Sequence, residues 1–322
     1  MRSGFSMGWL LSFQLAAADV LVIESYRSQF EWDKSYLFGI HEELNPSIEL
    51  ATFEMDTKRI PMNQFDDAAE AAWHAYRQHQ PKVVVLGDDN ALRLMLPKLY
   101  DQPISIVFLG INDNPRHLLS EFSGQAKVTG ILERPLFVRN LSEISRVLGR
   151  TDLRIKVMFD SGVTSKIAGE YIVTQFEQIK AGLGIDVSVH NIATFREWQA
   201  QVNQAQSQGV DAIFVGLYHT IIDDQGHNVA ASTIMKWTNQ HASVPLFGFW
   251  DYAVGKGKTA GGVVLFGESQ GRTVAQLVNR ILNGEDAGLI PIKIGTQGRA
   301  IYSRSEMTRW QLKPPLQWQA LE

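Results

Sequence analysis

Ser269 has the most nucleophile-like surroundings in the chain. It stands in Gly267-Glu268-Ser269-Gln270-Gly271, a Gly-x-Ser-x-Gly string between an expected strand and an expected helix. In that setting a sharp turn lifts a serine hydroxyl above a sheet. The hydrolase order then needs an acid and a histidine downstream, yet the last histidine is His241. The string therefore reads as a strand–turn–helix junction with glycines at the tight backbone. A serine hydrolase with another chain order is kept as the weakest alternative, and the chain is expected not to be an enzyme.

Other reactive groupings fail on spacing. Gly257-Lys258-Thr259 resembles the tail of a phosphate loop, but Tyr252 stands where the leading glycine belongs and a strand follows. Phosphate is cradled by a helix N-terminus, so this reading is dropped. His219, Asp223 and His227 are four apart, but the turn Asp223-Asp224-Gln225-Gly226 breaks any helical metal face. No Gly-x-Gly-x-x-Gly follows the first strand, so neither a nucleotide cofactor nor any other is expected. With no cysteine there are no disulfides, thiolate nucleophiles or iron–sulfur clusters. A net charge of −4 gives no footprint for nucleic acid. The 322 residues, 45% of them hydrophobic, suffice for roughly two globular domains.

Short β-branched runs alternate with amphipathic helical stretches. Strands are expected at Val20–Glu24, Ile48–Glu54, Lys82–Leu86, Ile104–Leu109 and Val128–Leu132, with helices over 33–44, 64–79 and 91–99 between them. After a helix near 138–148 the pattern restarts. Strands at 154–159, 186–192, 212–217 and 245–249 alternate with helices at 165–183, 195–208 and 232–241, before a last strand at 262–266 and a helix at 270–282. This predicts an α/β chain of two doubly wound, parallel-sheet lobes with a ligand cleft between them.

Ligands of open α/β sheets bind beyond the carboxyl ends of the strands. The first half places Tyr26, Phe30, Trp32, Asp88, Asp89 and Asn112 there; the second places Asp160, Tyr218, Trp250 and Asp251. Aromatic faces with a few carboxylates and amides suit a small polar organic ligand, amino-acid-like or sugar-like. Blander roles compete. Trp32 could cover the core, and one of Asp88, Asp89 and Asn90 is expected to cap a helix. Lys58 and Arg59 read as a solvated face or charge partners, and His219 as a packed or hydrogen-bonded side chain.

Several strings resemble one family: Ile23-Glu24-Ser25-Tyr26, Met55-Asp56-Thr57-Lys58-Arg59, Asp88-Asp89-Asn90-Ala91-Leu92, Val107 to Asn112 and Thr129 to Glu133. It is the ABC-transporter substrate-binding family of uncharacterised specificity, with related extracytoplasmic sensor domains of histidine kinases and diguanylate cyclases. The resemblance runs from about Asp19 to Trp310 and implies a type I periplasmic-binding fold. It puts crossings near Glu133–Pro135, Trp250–Tyr252 and Glu285–Pro291. The lobes would then be 19–134 plus 252–286, and 135–251 plus 287–322. It also implies an extracytoplasmic, monomeric solute-binding protein whose partner is a membrane permease. A sensor that signals to a receptor kinase or cyclase is the alternative, and that signal would pass through another protein. Residues 1–18, with Arg2, an apolar stretch from Trp9 and Ala16-Ala17-Ala18, read as a thin signal peptide.

Overall fold

The computed structural model describes residues 18–295 and 298–322. The expected leader thus lies outside the described residues, Ala18 apart. The first half runs β1 (Val20–Glu24), α1 (Glu31–Glu43), β2 (Leu50–Glu54), α2 (Phe65–His79), β3 (Val83–Gly87) and α3 (Asp88–Leu99). It continues with β4 (Ser105–Ile111), α4 (Arg116–Glu121) and β5 (Lys127–Glu133). In β1 and β3, VLVIE and VVVLG, every residue is buried, as strands covered on both faces must be.

The second half runs α5 (Phe137–Leu148), β6 (Arg154–Asp160), α6 (Val163–Val173), α7 (Phe176–Leu183), β7 (Asp186–Ile192) and α8 (Phe195–Asn203). Then come β8 (Ala212–Val215), α9 (Ala231–His241), β9 (Leu246–Gly248), β10 (Gly261–Val264), α10 (Gly267–Leu282) and β11 (Lys293–Gly295). β12 (Arg299–Tyr302), α11 (Arg304–Arg309) and β13 (Gln319–Ala320) complete it. The single helix expected over 165–183 is split into α6 and α7. Thr174 sits at the break, its hydroxyl donating to the Tyr171 carbonyl at 2.7 Å in competition with the helical ladder.

Two sheets form, ordered β11-β5-β4-β3-β1-β2 and β13-β12-β10-β9-β8-β6-β7. All pairs are parallel except β10 with β12. These pairings correct the expected lobe boundaries. β10, assigned with 252–286 to the first lobe, lies beside β9 in the second sheet, and β11, assigned to the second lobe, lies beside β5 in the first. The crossings fall after Glu133, between β10 and α10, and between β11 and β12. The middle one was misplaced because β9 and β10 are parallel neighbours joined without an α-helix, whereas such a connection usually contains one. α10 therefore returns to the first lobe, where its backbone packs against α1.

Candidate functional site

β3 passes into α3 with no loop between them. None of Asp88, Asp89 and Asn90 makes the expected cap. Ser25, beyond β1, does it instead: its hydroxyl accepts from the Ala91 N–H at 2.7 Å and donates to the Gly87 carbonyl. Asp88 takes a left-handed φ of 70°, a conformation Asp tolerates better than most residues. Gly110, also left-handed at φ 70°, closes over it. A Cβ there would lie 2.7 Å from Asp88 Oδ1 and 3.5 Å from Trp32 Nε1. Gly110→Ala is therefore expected to cost about 1–3 kcal/mol of stability through backbone strain. An unchanged urea midpoint would contradict that.

The two lobes meet over an aromatic cluster. The Tyr26 and Thr164 hydroxyls hydrogen-bond across the cleft at 3.1 Å. Phe30 makes edge-to-face pairs with Tyr26 at 5.5 Å and with His219, from the second lobe, at 4.3 Å. Lys58 Nζ lies over both rings, 4.2 Å from the Tyr26 centroid and 4.6 Å from that of Phe30. At the first crossing Trp250 Nε1 donates to Glu133 Oε1 at 2.7 Å. The space lined by Tyr26, Phe30, Trp32, Asp88, Asn112 and Trp250, among others, is only about 10 Å³. That is roughly the room one water needs. Outside it a cavity of about 560 Å³ opens between Lys58, Arg59 and Asn90 on one side and Asp160, Thr164 and Asn228 on the other.

Burial dominates the electrostatics. It pushes Glu24 up to about 8, with Glu54 adding to the effect, and Glu133 up to about 8 against the opposing Trp250 hydrogen bond. Asp33 and Asp88 are raised well above the usual carboxylate range, by burial and then by Glu24 and Asp33 respectively. Burial lowers Lys58, opposed by Asp160, Asp88, Asp33 and Glu133, and holds His219 neutral with Lys58 adding to the effect. Several buried polar atoms here have no hydrogen-bond partner among the described residues: Asp88 Oδ2, Asn112 Oδ1, Trp32 Nε1, Tyr252 Oη and both Glu24 oxygens.

Of the residues expected at the site, Tyr26, Phe30, Trp32, Asp88, Asn112 and Trp250 line the inner space. The other four sit elsewhere or are already engaged. Asp89 accepts from the Asn112 and Asp113 N–H groups, both at 3.0 Å, and pins that loop. Asp160 lines the outer cavity, but its oxygens accept from the Gly162 N–H, the Ser165 hydroxyl and the Thr220 N–H. Tyr218 stacks on His219 at 4.5 Å and leans toward Trp198. Asp251 accepts from the Tyr252 N–H, with burial raising its pKa to about 6.

Lys58, expected on a solvated face, is instead at the centre. Glu24, Asp33, Glu133, Thr164 and Tyr252 were not singled out. Glu24 left a trace, being the one carboxylate that ends an otherwise apolar strand, and Glu133 a weaker one, since it follows the apolar pair Ile131-Leu132 at the end of β5. The Ser269 hydroxyl donates to the Phe266 carbonyl of its own turn at 2.9 Å. Lys258 donates to the Tyr252 carbonyl, and no metal-binding cluster occurs among the described residues. None of the described helices is long and apolar enough to cross a membrane.

No protein-family model and no curated protein matches the chain. Solved structures do. An ABC domain from Streptococcus pneumoniae in complex with L-Trp superposes with a TM-score of 0.67 at 16% identity, over 93% of this chain and 96% of that one. A solute-binding protein of an ABC transporter from Agrobacterium vitis, with bound allitol, gives 0.59 at 12% identity over 92% and 99%. A LacI-family regulator from Corynebacterium glutamicum gives 0.55 at 13% identity over 90% and 99%. Such identities speak for the fold alone. Two parallel-sheet lobes, crossed three times and closed over a polar cleft, have the type I periplasmic-binding fold.

Proposed function

We propose that this chain is an extracytoplasmic solute-binding protein that closes its lobes around a small polar organic solute and delivers it to an ABC-type membrane permease. One observation carries the reading. The lobes touch through Tyr26, Thr164, Phe30 and His219, while buried polar atoms between them lack partners. A group that bridges both lobes is bound better closed than open, and that difference drives closure. Tyr26, Phe30, Trp32 and Trp250 supply flat faces; Asp88 and Asn112 supply acceptors. The protein acts as a monomer, since each chain brings both walls of its cleft.

A thermal screen over amino acids, sugars and nucleosides tests this. A true solute at a hundred times its Kd stabilises by about 2.7 kcal/mol. If none raises the melting temperature, the proposal falls. Tyr26→Phe combined with Thr164→Val removes the cross-lobe hydrogen bond, worth about 0.5–1.5 kcal/mol. Small-angle scattering should show a larger radius of gyration for this variant, and the solute should bind several-fold more weakly. Identical scattering profiles would show that the bond does not hold the lobes together.

A further inference from the structure

Lys58, just beyond β2, is the one cation among the residues lining the inner space. Its ammonium lies over the faces of Tyr26 and Phe30, at 4.2 and 4.6 Å. Among the described residues it has no hydrogen-bond or ion-pair partner, although Asp33, Asp88, Glu133 and Asp160 all act on it through space. The acceptors around it are unmet as well. Asp88 and Asn112 are 3% and 6% exposed, both line the space, and Asp88 Oδ2 and Asn112 Oδ1 are without donors. Lys58 thus gains cation–π attraction while these acceptors stay unmet.

The surroundings also say what would fit better. Nearby guanidinium groups are already engaged: Arg134 donates to the Ile111, Asn112, Glu133 and Asp113 carbonyls, and Arg59 pairs with Asp56. Neither lines the inner space. Ring faces and unmet acceptors, beside carboxyl groups that burial keeps from ionising until a positive charge arrives, together call for a donor-rich positive head. We propose that the inner site is a cation site filled here by the chain's own Lys58, and that its solute is a small organic monocation whose primary ammonium or guanidinium displaces it. An untethered head can lie over the rings and reach Asp88 and Asn112 at once. This rests on the cleft being the solute site.

The test uses the full chain and three probes of one shape: n-butylammonium, 1-butanol and butyrate. Lys58→Ala opens the space that the lysine stem fills. By calorimetric titration it should bind n-butylammonium about tenfold more tightly than the unaltered chain does, the size of a desolvated cation–aromatic contact. The alcohol and the acid should gain nothing. Lys58→Met keeps the stem without the charge and should show no gain, and Asp88→Asn in the Lys58→Ala background should abolish it. Equal gains for butyrate or 1-butanol, or equal n-butylammonium binding by the Ala and Met variants, would overturn the proposal. The two readings fail separately. A neutral sugar that closes the unaltered chain sinks the cation class and leaves solute binding intact. A failed solute screen with the Lys58→Ala gain intact does the reverse.

Discussion

Gly271→Ala is expected to cost about 3 kcal/mol of folding stability, at the upper end of the usual range for an overpacked contact. A Cβ at Gly271 would lie 1.9 Å from the Tyr36 carbonyl oxygen and 3.0 Å from the Ile40 nitrogen. Neither atom can swing aside, since both belong to the α1 backbone. The contact is reciprocal: a Cβ on Gly39 of α1 would lie 2.2 Å from the Glu268 carbonyl oxygen. α1 and α10 touch main chain to main chain, so one methyl must push a whole helix. α1 carries Trp32 and Asp33 toward the cleft, so solute binding should weaken together with stability. Gly182→Ala is the control. It lies in exposed α7 with nothing within 4 Å of the added atom. There alanine should be neutral or stabilise by up to about 1 kcal/mol through its better helix propensity. Urea denaturation compares the two, and equal midpoints would refute the close-packing argument.

Stability should fall as pH rises from 7 to 8. Glu24 and Glu133 move from 4.5 to about 8 in the folded chain, so folding takes up protons between those values. The contribution of the neutral carboxyls is complete below 4.5 and is lost as pH climbs through about 8. Each group tilts the free energy of unfolding by up to about 1.4 kcal/mol per pH unit. Asp33 and Asp88, also raised, tilt it the same way. His219 is lowered from 6.5, so it opposes this only where the unfolded imidazole is protonated, below the chosen window. Lys58, lowered from 10.5, opposes it from the alkaline side. Glu133→Gln keeps an acceptor for Trp250 Nε1 and removes the titration, so its profile should be flatter than the parent's. Stability that rises from pH 7 to 8, or equal slopes in parent and variant, would contradict this assignment.

The fold was legible because its inner strands are apolar on both faces, its edge strand β7 alternates and its helices are striped, patterns that sequence alone displays. β1 and β7 fall within the expected limits to the residue. The boundaries of the lobes were not legible. Whether 261–264 joins the first sheet or the second depends on which neighbour has an open edge, and no local pattern encodes that. The site was half legible for a related reason. Strand ends name the residues near a cleft, and Tyr26, Trp32, Asp88 and Trp250 do line the inner space. They do not show which oxygens the backbone already occupies. Asp160 and Asp89 look like free carboxylates in the sequence and are held by loop N–H groups in the structure. Lys58 was passed over because a lysine in a loop is usually solvated. Only the fold brings Phe30 and Tyr26 beneath it.

The return of α10 to the first lobe also sets an order of events during synthesis. α1 has been synthesised by residue 43, but the helix that covers it is complete only at residue 282. At about 5–20 residues per second, the roughly 240 residues between them take on the order of ten to fifty seconds. Throughout that interval Tyr36 and Ile40, buried in the finished molecule, have no α10 to pack against. The strand that borders β5 arrives later still. The first lobe is thus begun first and cannot be finished until strands β6 to β10 of the second have been made, and β12 and β13 then complete the second lobe last.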